Sequence, residues 1–114
     1  GHVTRFRIGV DGSLSGREIF GPSPLFPGAK IDGITFDCEG NLWVTELTQN
    51  ALVVLKPDGA PKTIFSDPDG AVMTLPTSVT FGGDDLKTVF VGTIKMDRIP
   101  TFRSPVAGAP MYHW

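Results

Sequence analysis

Two separate pieces of this chain each occur twice, at nearly the same spacing. That limits its possible folds more than any other feature. The tripeptide ITF at 34–36 returns as VTF at 79–81, 45 residues on (34 to 79). ITF is followed by a turn and then LWVTEL at 42–47; VTF is followed by a slightly longer turn, GGDDLK at 82–87, and then TVFVGTI at 88–94. The alternating segment RFRIGVDG at 5–12 returns as LVVLKPDG at 52–59, 47 residues on (5 to 52). Past its Asp-Gly, each copy leads into another short run, REIFG at 17–21 and KTIFS at 62–66. Short apolar runs bounded by Gly, Pro, Asp and Asn read as strands joined by hairpin turns.

Four antiparallel strands in about 40–50 residues is the period of a β-propeller blade. The chain is therefore expected to be all-β, with antiparallel four-stranded sheets that make up about two blade equivalents of a β-propeller. The parse is one partial propeller over residues 1–114. It has an outer hairpin at 3–21, a loop rich in Pro and Gly at 22–31, a complete blade at 33–66 and a loop at 67–76. The inner hairpin and closing strand of the last blade follow at 78–114, with MYHW at 111–114 as the final strand. No stretch keeps a helical period for ten residues. In the hairpin at 33–47, Ile34, Phe36, Leu42 and Val44 are expected to pack against neighbouring blades, with Trp43 as core. Asp11-Gly12 and Asp58-Gly59 read as hairpin turns. Asp67-Pro68-Asp69-Gly70 lacks the further ligands of a calcium loop and also reads as a turn.

Composition removes several function classes. Net charge is −2 with both signs interspersed, so nothing resembles the basic footprint of a nucleic-acid binder or a polybasic membrane contact. No apolar run approaches the roughly 20 residues of a membrane span. Cys38 is the single cysteine, which excludes an intrachain disulfide or a cysteine-based zinc site and fits a reducing, cytoplasmic compartment. His2 and His113 are the only histidines and stand at opposite ends. A Ser-His-Asp triad is not expected, and His113 reads as a surface residue.

The string DGITFDCEGNLWVTEL, then LKPDG, then LPTSVTFGGDDLKTVFVGT resembles the senescence-marker/regucalcin, gluconolactonase and luciferin-regenerating-enzyme family. One family pattern reads PDG, two apolar residues, then D-x-x-G-N-L-W-V. A second reads PT-x-x-x-F-G-G-x-D ahead of an apolar strand. Both occur here in order, with Ile31 in place of the usual proline before Asp32. The tail FRSPVAGAPMYHW is similar to the family's closing segment. The resemblance covers the C-terminal third of a family member and implies a fold and an activity: a six-bladed propeller that hydrolyses sugar lactones with calcium or another divalent metal at the mouth of its central channel. The metal would polarise the lactone carbonyl and acidify a bound water. The resemblance places the metal ligands in a first-blade glutamate, a middle-blade asparagine and an aspartate ahead of residue 1. On that reading the chain lacks the family's ligands and is inactive unless reassembled.

Within the repeat, Asp32 (before Gly33-Ile34) and Thr77 (before Ser78-Val79) stand where the family's ligands stand at the start of inner strands. They are the pore-mouth candidates, and Asp32 is a metal ligand only in an oligomer. The plainer reading of Asp32 is an Asx turn with Gly33. Glu46, beside Thr45 at the end of the second inner strand, is the third candidate. Two blades leave apolar faces that need cover, supplied either by the missing blades or by copies of the chain. A cyclic trimer would restore six blades. In such a ring the 111–114 strand and VTRFRI at 3–8 compete for the edge of TVFVGTI. The expected function is part of a divalent-metal-dependent lactone hydrolase acting on a small lactone. The alternative is a non-catalytic, oligomeric propeller-derived scaffold.

Overall fold

The computed structural model describes residues 1–112. Nine strands form three antiparallel sheets, with no helix among the described residues. The first sheet pairs β1 (Val3–Ile8) with β2 (Leu14–Phe20). The second runs in sequence order through β3 (Ile31–Phe36), β4 (Leu42–Glu46), β5 (Ala51–Leu55) and β6 (Pro61–Ser66). The third holds β7 (Pro76–Gly82), β8 (Thr88–Thr93) and β9 (Thr101–Arg103).

The repeat is visible atom by atom. Gly9 N–H donates to the Ser13 carbonyl at 2.8 Å, and Lys56 N–H to the Ala60 carbonyl at 2.9 Å. Gly12 and Gly59 take φ of 83° and 85°, a left-handed turn that glycine adopts without steric cost. In each turn the aspartate caps the backbone, Asp11 accepting from Ser13 N–H and Asp58 from Ala60 N–H. The β1–β2 hairpin is thus the counterpart of β5–β6, and β3–β4 of β7–β8.

The middle sheet lies between the other two, so β4 and β5 are buried on both faces. This is why LWVTE and ALVVL are continuous apolar runs rather than alternating ones. Leu42, Val44, Ala51, Val53 and Leu55 turn toward the first sheet and meet Val3 and Phe20. Trp43, Leu52 and Val54 turn the other way and pack with Val79, Phe81, Val89 and Val91 of the third sheet and with Met73. Trp43 is 5% exposed and sits edge-on to Phe81, ring centroids 5.0 Å apart.

Three expectations change. Ile34 and Phe36 are 54% and 53% exposed rather than packed. They pair directly with Val44 and Leu42 and so share the face turned toward the first sheet, but that sheet has only two strands and does not reach over β3. The strand at 111–114 is replaced. Met111 and Tyr112 carry no strand, His113 and Trp114 fall outside the described residues, and the outer edge of β8 is taken by Thr101–Arg103. Past β9 the chain crosses back to the β3–β4 turn: Cys38 N–H donates to the Ala107 carbonyl and Ala109 N–H to the Phe36 carbonyl. Finally, Asp32 lies inside β3, which begins at Ile31, rather than in a turn ahead of it.

Candidate functional site at the inner strands

Both innermost strands bulge at the same level. In β3, Ile31 faces Glu46 and Ile34 faces Val44, so Asp32 and Gly33 together oppose the single residue Thr45. In β7, Pro76 faces Thr93 and Ser78 faces Gly92, so Thr77 is the extra residue. A bulge re-aims a side chain at the point where ladder pairing breaks, and bulges concentrate at barrel rims and beside active sites. The two bulges touch. A Cβ placed on Gly33 would lie 2.5 Å from the Thr77 carbonyl oxygen and 2.6 Å from Ser78 Cα. Only glycine allows β3 and β7 to approach backbone to backbone here.

The structure therefore brings Asp32 and Thr77 to one end of adjacent inner strands. Asp32 is exposed, and among the described residues no hydrogen bond engages its carboxylate. Thr77 is half-buried and its Oγ1 donates to the Gly92 carbonyl at 3.4 Å. Among the described residues no group of three or more His, Cys, Asp or Glu is placed to hold a metal ion. What the described residues offer a cation here is one carboxylate without a hydrogen-bond partner, at the same strand end as the Thr77 hydroxyl. Hard oxygen donors of this kind suit calcium or a similar divalent ion rather than a soft metal.

Glu46 stands beside the bulge, opposite Ile31, but is otherwise occupied. It is fully buried. Its Oε1 accepts from the Lys30 and Thr48 amides, both at 2.9 Å, and from Thr48 Oγ1 at 2.5 Å; Oε2 accepts from the Gln49 amide at 2.8 Å. Burial pushes its carboxyl up, but the Thr48 hydroxyl and these three amides outweigh it and hold the group below its ordinary range. Glu46 anchors the β4–β5 turn and ties it to the chain entering β3.

Sequence reasoning assigned no role to Asp37, the first residue of the D-x-x-G-N-L-W string. It is 3% exposed. Its Oδ1 accepts from the Glu39 and Asn41 amides, and its Oδ2 from Asn41 Nδ2 at 2.9 Å and Trp43 Nε1 at 3.0 Å. The motif is thus a turn that seats a core tryptophan. The available signal was the spacing of an acceptor six residues before an indole donor.

A cavity of about 600 Å³ opens between the second and third sheets. Trp43, Ile64, Phe65, Val91 and Phe102 line it, with Lys56 and Lys62 at its edge. β6 borders it on one side and β9, paired only with β8, on the other. The third sheet has three strands where the second has four, and the cavity lies beside the free edge of the third.

Comparison with known proteins identifies the family. A family model described as "SMP-30/Gluconolactonase/LRE-like region" matches residues 1–95. Pentonolactonase XacC of Haloferax volcanii is 38% identical over 93 residues, which are 79% of this chain and 30% of that protein. A 6-deoxy-6-sulfogluconolactonase of Pseudomonas putida is 28% identical over 94 residues, 82% of this chain and 31% of that protein. A luciferin-regenerating enzyme structure superposes with a TM-score of 0.64 at 21% identity, covering 94% of this chain and 35% of the other. The chain spans about a third of the length of the curated relatives it matches.

Proposed function

The chain belongs to the SMP-30/gluconolactonase/LRE-like family, and from that premise we propose that it forms part of the channel wall of a divalent-cation-dependent sugar-lactone hydrolase, contributing Asp32 as one ligand of the cation. The observation that carries this reading is the pair of adjoining bulges that presents Asp32 and Thr77 at the same end of β3 and β7. The names of two relatives, both lactonases of sugar acids, give the reaction class. Asp32 was expected as a metal ligand only in an oligomer; on this proposal further blades complete its site instead. A bound cation of the calcium type would polarise a lactone carbonyl and acidify a water. The chain's own part is to present the Asp32 carboxylate at the bulge, with Thr77 at the same end of the neighbouring strand.

One carboxylate does not make a cation site, so the remaining ligands come from strands outside residues 1–112. Further blades fit best as their source. A cyclic trimer would need β1 of one copy to pair with β8 of the next, and β9 fills that edge. The trimer therefore requires β9 to be displaced.

The test is a titration with Mn²⁺, read by NMR line broadening, on the chain itself. Broadening centred on residues 31–34 and 76–78 that disappears in Asp32→Ala supports the reading. Broadening that is centred elsewhere, or that Asp32→Ala leaves unchanged, overturns it.

A further inference from the structure

We infer that Thr45 is the positioning residue that holds Asp32 in its presenting geometry; the inference rests on the reading of Asp32 as a cation ligand. Where Asp32 and Gly33 oppose a single residue, the regular ladder cannot satisfy both backbones. Thr45 is that opposing residue, and it is fully buried. Its Oγ1 accepts from Gly33 N–H at 2.8 Å and donates to the Gly33 carbonyl at 3.3 Å. One hydroxyl therefore replaces both missing ladder bonds of Gly33. On the other side Gly33 is pressed against the Thr77 carbonyl, so the bulge is clamped between a side chain and a neighbouring backbone.

The consequence for Asp32 follows from the pleat. Side chains alternate across a strand, so removing a one-residue bulge sends every residue beyond it to the opposite face. A valine at 45 fills the same volume but offers Gly33 neither donor nor acceptor. A buried amide left unpaired is expensive, and the strand regains its pairing by slipping into regular register, which turns Asp32 away. The bulge in β7 uses a different latch: Thr77 itself donates, weakly, to Gly92. The Thr45 clamp is therefore particular to the strand that carries the carboxylate.

The experiment compares the wild-type chain with Thr45→Val, Thr45→Ser and Thr45→Cys by Mn²⁺ titration, following broadening at Asp32, with thermal melts and Gly33 amide exchange alongside. Thr45→Val is expected to raise the Mn²⁺ midpoint about tenfold or more, the range for losing a group that orients a ligand, and to speed Gly33 exchange. Thr45→Ser keeps the hydroxyl and is expected to stay within about twofold of wild type, as a retained hydrogen bond requires. If Thr45→Val does not fold, Thr45→Cys takes its place, with a thiol that bonds weakly and an expected intermediate loss. A Thr45→Val or Thr45→Cys chain that folds and binds Mn²⁺ as wild type does overturns the inference and leaves the Asp32 ligand standing. Absence of any Asp32 broadening in the wild type removes the ligand and the inference together.

Discussion

Asp32, Glu46 and Asp37 are acidic residues within one hairpin, and their surroundings set them to different tasks. Glu46 is buried under four hydrogen bonds, so Glu46→Gln should destabilise the chain by about 2 kcal/mol at neutral pH. Its folded carboxyl sits below its ordinary range. The stabilisation is therefore complete above that range and disappears as pH falls through the depressed value. Urea unfolding at neutral pH and at about pH 3 should show the gap between wild type and Glu46→Gln closing on acidification. Asp85 behaves in the same sense at the surface. The side-chain hydrogen bonds of Arg103 hold it at about 2, so acid should weaken the wild type between the ordinary carboxylate range and that value. Asp85→Asn should be spared this loss in melts across the same pH interval. Asp37→Ala should cost about 3 kcal/mol, because it leaves the Trp43 indole N–H and the turn amides without their buried acceptor; chemical unfolding reads this directly. At this scale the sequence was informative about residue type and spacing but not about partners. The D-x-x-G-N-L-W string was legible as a motif, while the bond from Trp43 to Asp37 depends on a turn that doubles back. Glu46 looked like a pore-mouth acid because position alone does not reveal that its oxygens are taken.

Among the elements, the hairpins were legible because each has period-two alternation or a continuous apolar run closed by Asp-Gly, Gly-Asn or Gly-Gly. The bulges were not. Asp32 could be placed at the start of an inner strand, but that the strand continues through it back to Ile31 depends on Thr45 and on the backbone of β7. β9 was also hidden. Three of the four residues between Pro100 and Pro105 form it, too few to show a period, and the strand exists because Thr101, Phe102 and Arg103 meet Phe90, Val89 and Thr88. The backbone contact of Gly33 with Thr77 predicts that Gly33→Ala will part β3 from β7. A loss of about 2 kcal/mol or more is expected from overpacking a backbone contact. A larger fall in Mn²⁺ broadening at Asp32 than any core variant of equal stability produces would separate displacement of the site from general loosening.

At the scale of the whole molecule, the three sheets hold two, four and three strands, and the outer two are unfinished in different ways. β1 and β2 expose Phe6, Ile8, Leu14 and Ile19, with Ile8 at 75% and Leu14 at 61%. The third sheet leaves β9 open beside an apolar cavity. Patches of this kind on otherwise well-packed sheets mark surfaces made to be covered. The all-β propeller class was legible from the repeat, since the spacing reflects a structural unit that must stack on others to bury its faces. What completes the stack leaves no trace in the residues present, because a free edge and an apolar face accept many partners. The central claim is that these sheets belong to a larger ring and cannot stay uncovered. It is tested most directly by the solution mass of the chain from light scattering after gel filtration, with and without calcium. A mass that is a multiple of the 12.2 kDa chain, as exposed faces bury one another, is the result expected. A single monodisperse species at the mass of one chain, at every concentration tried, would contradict it.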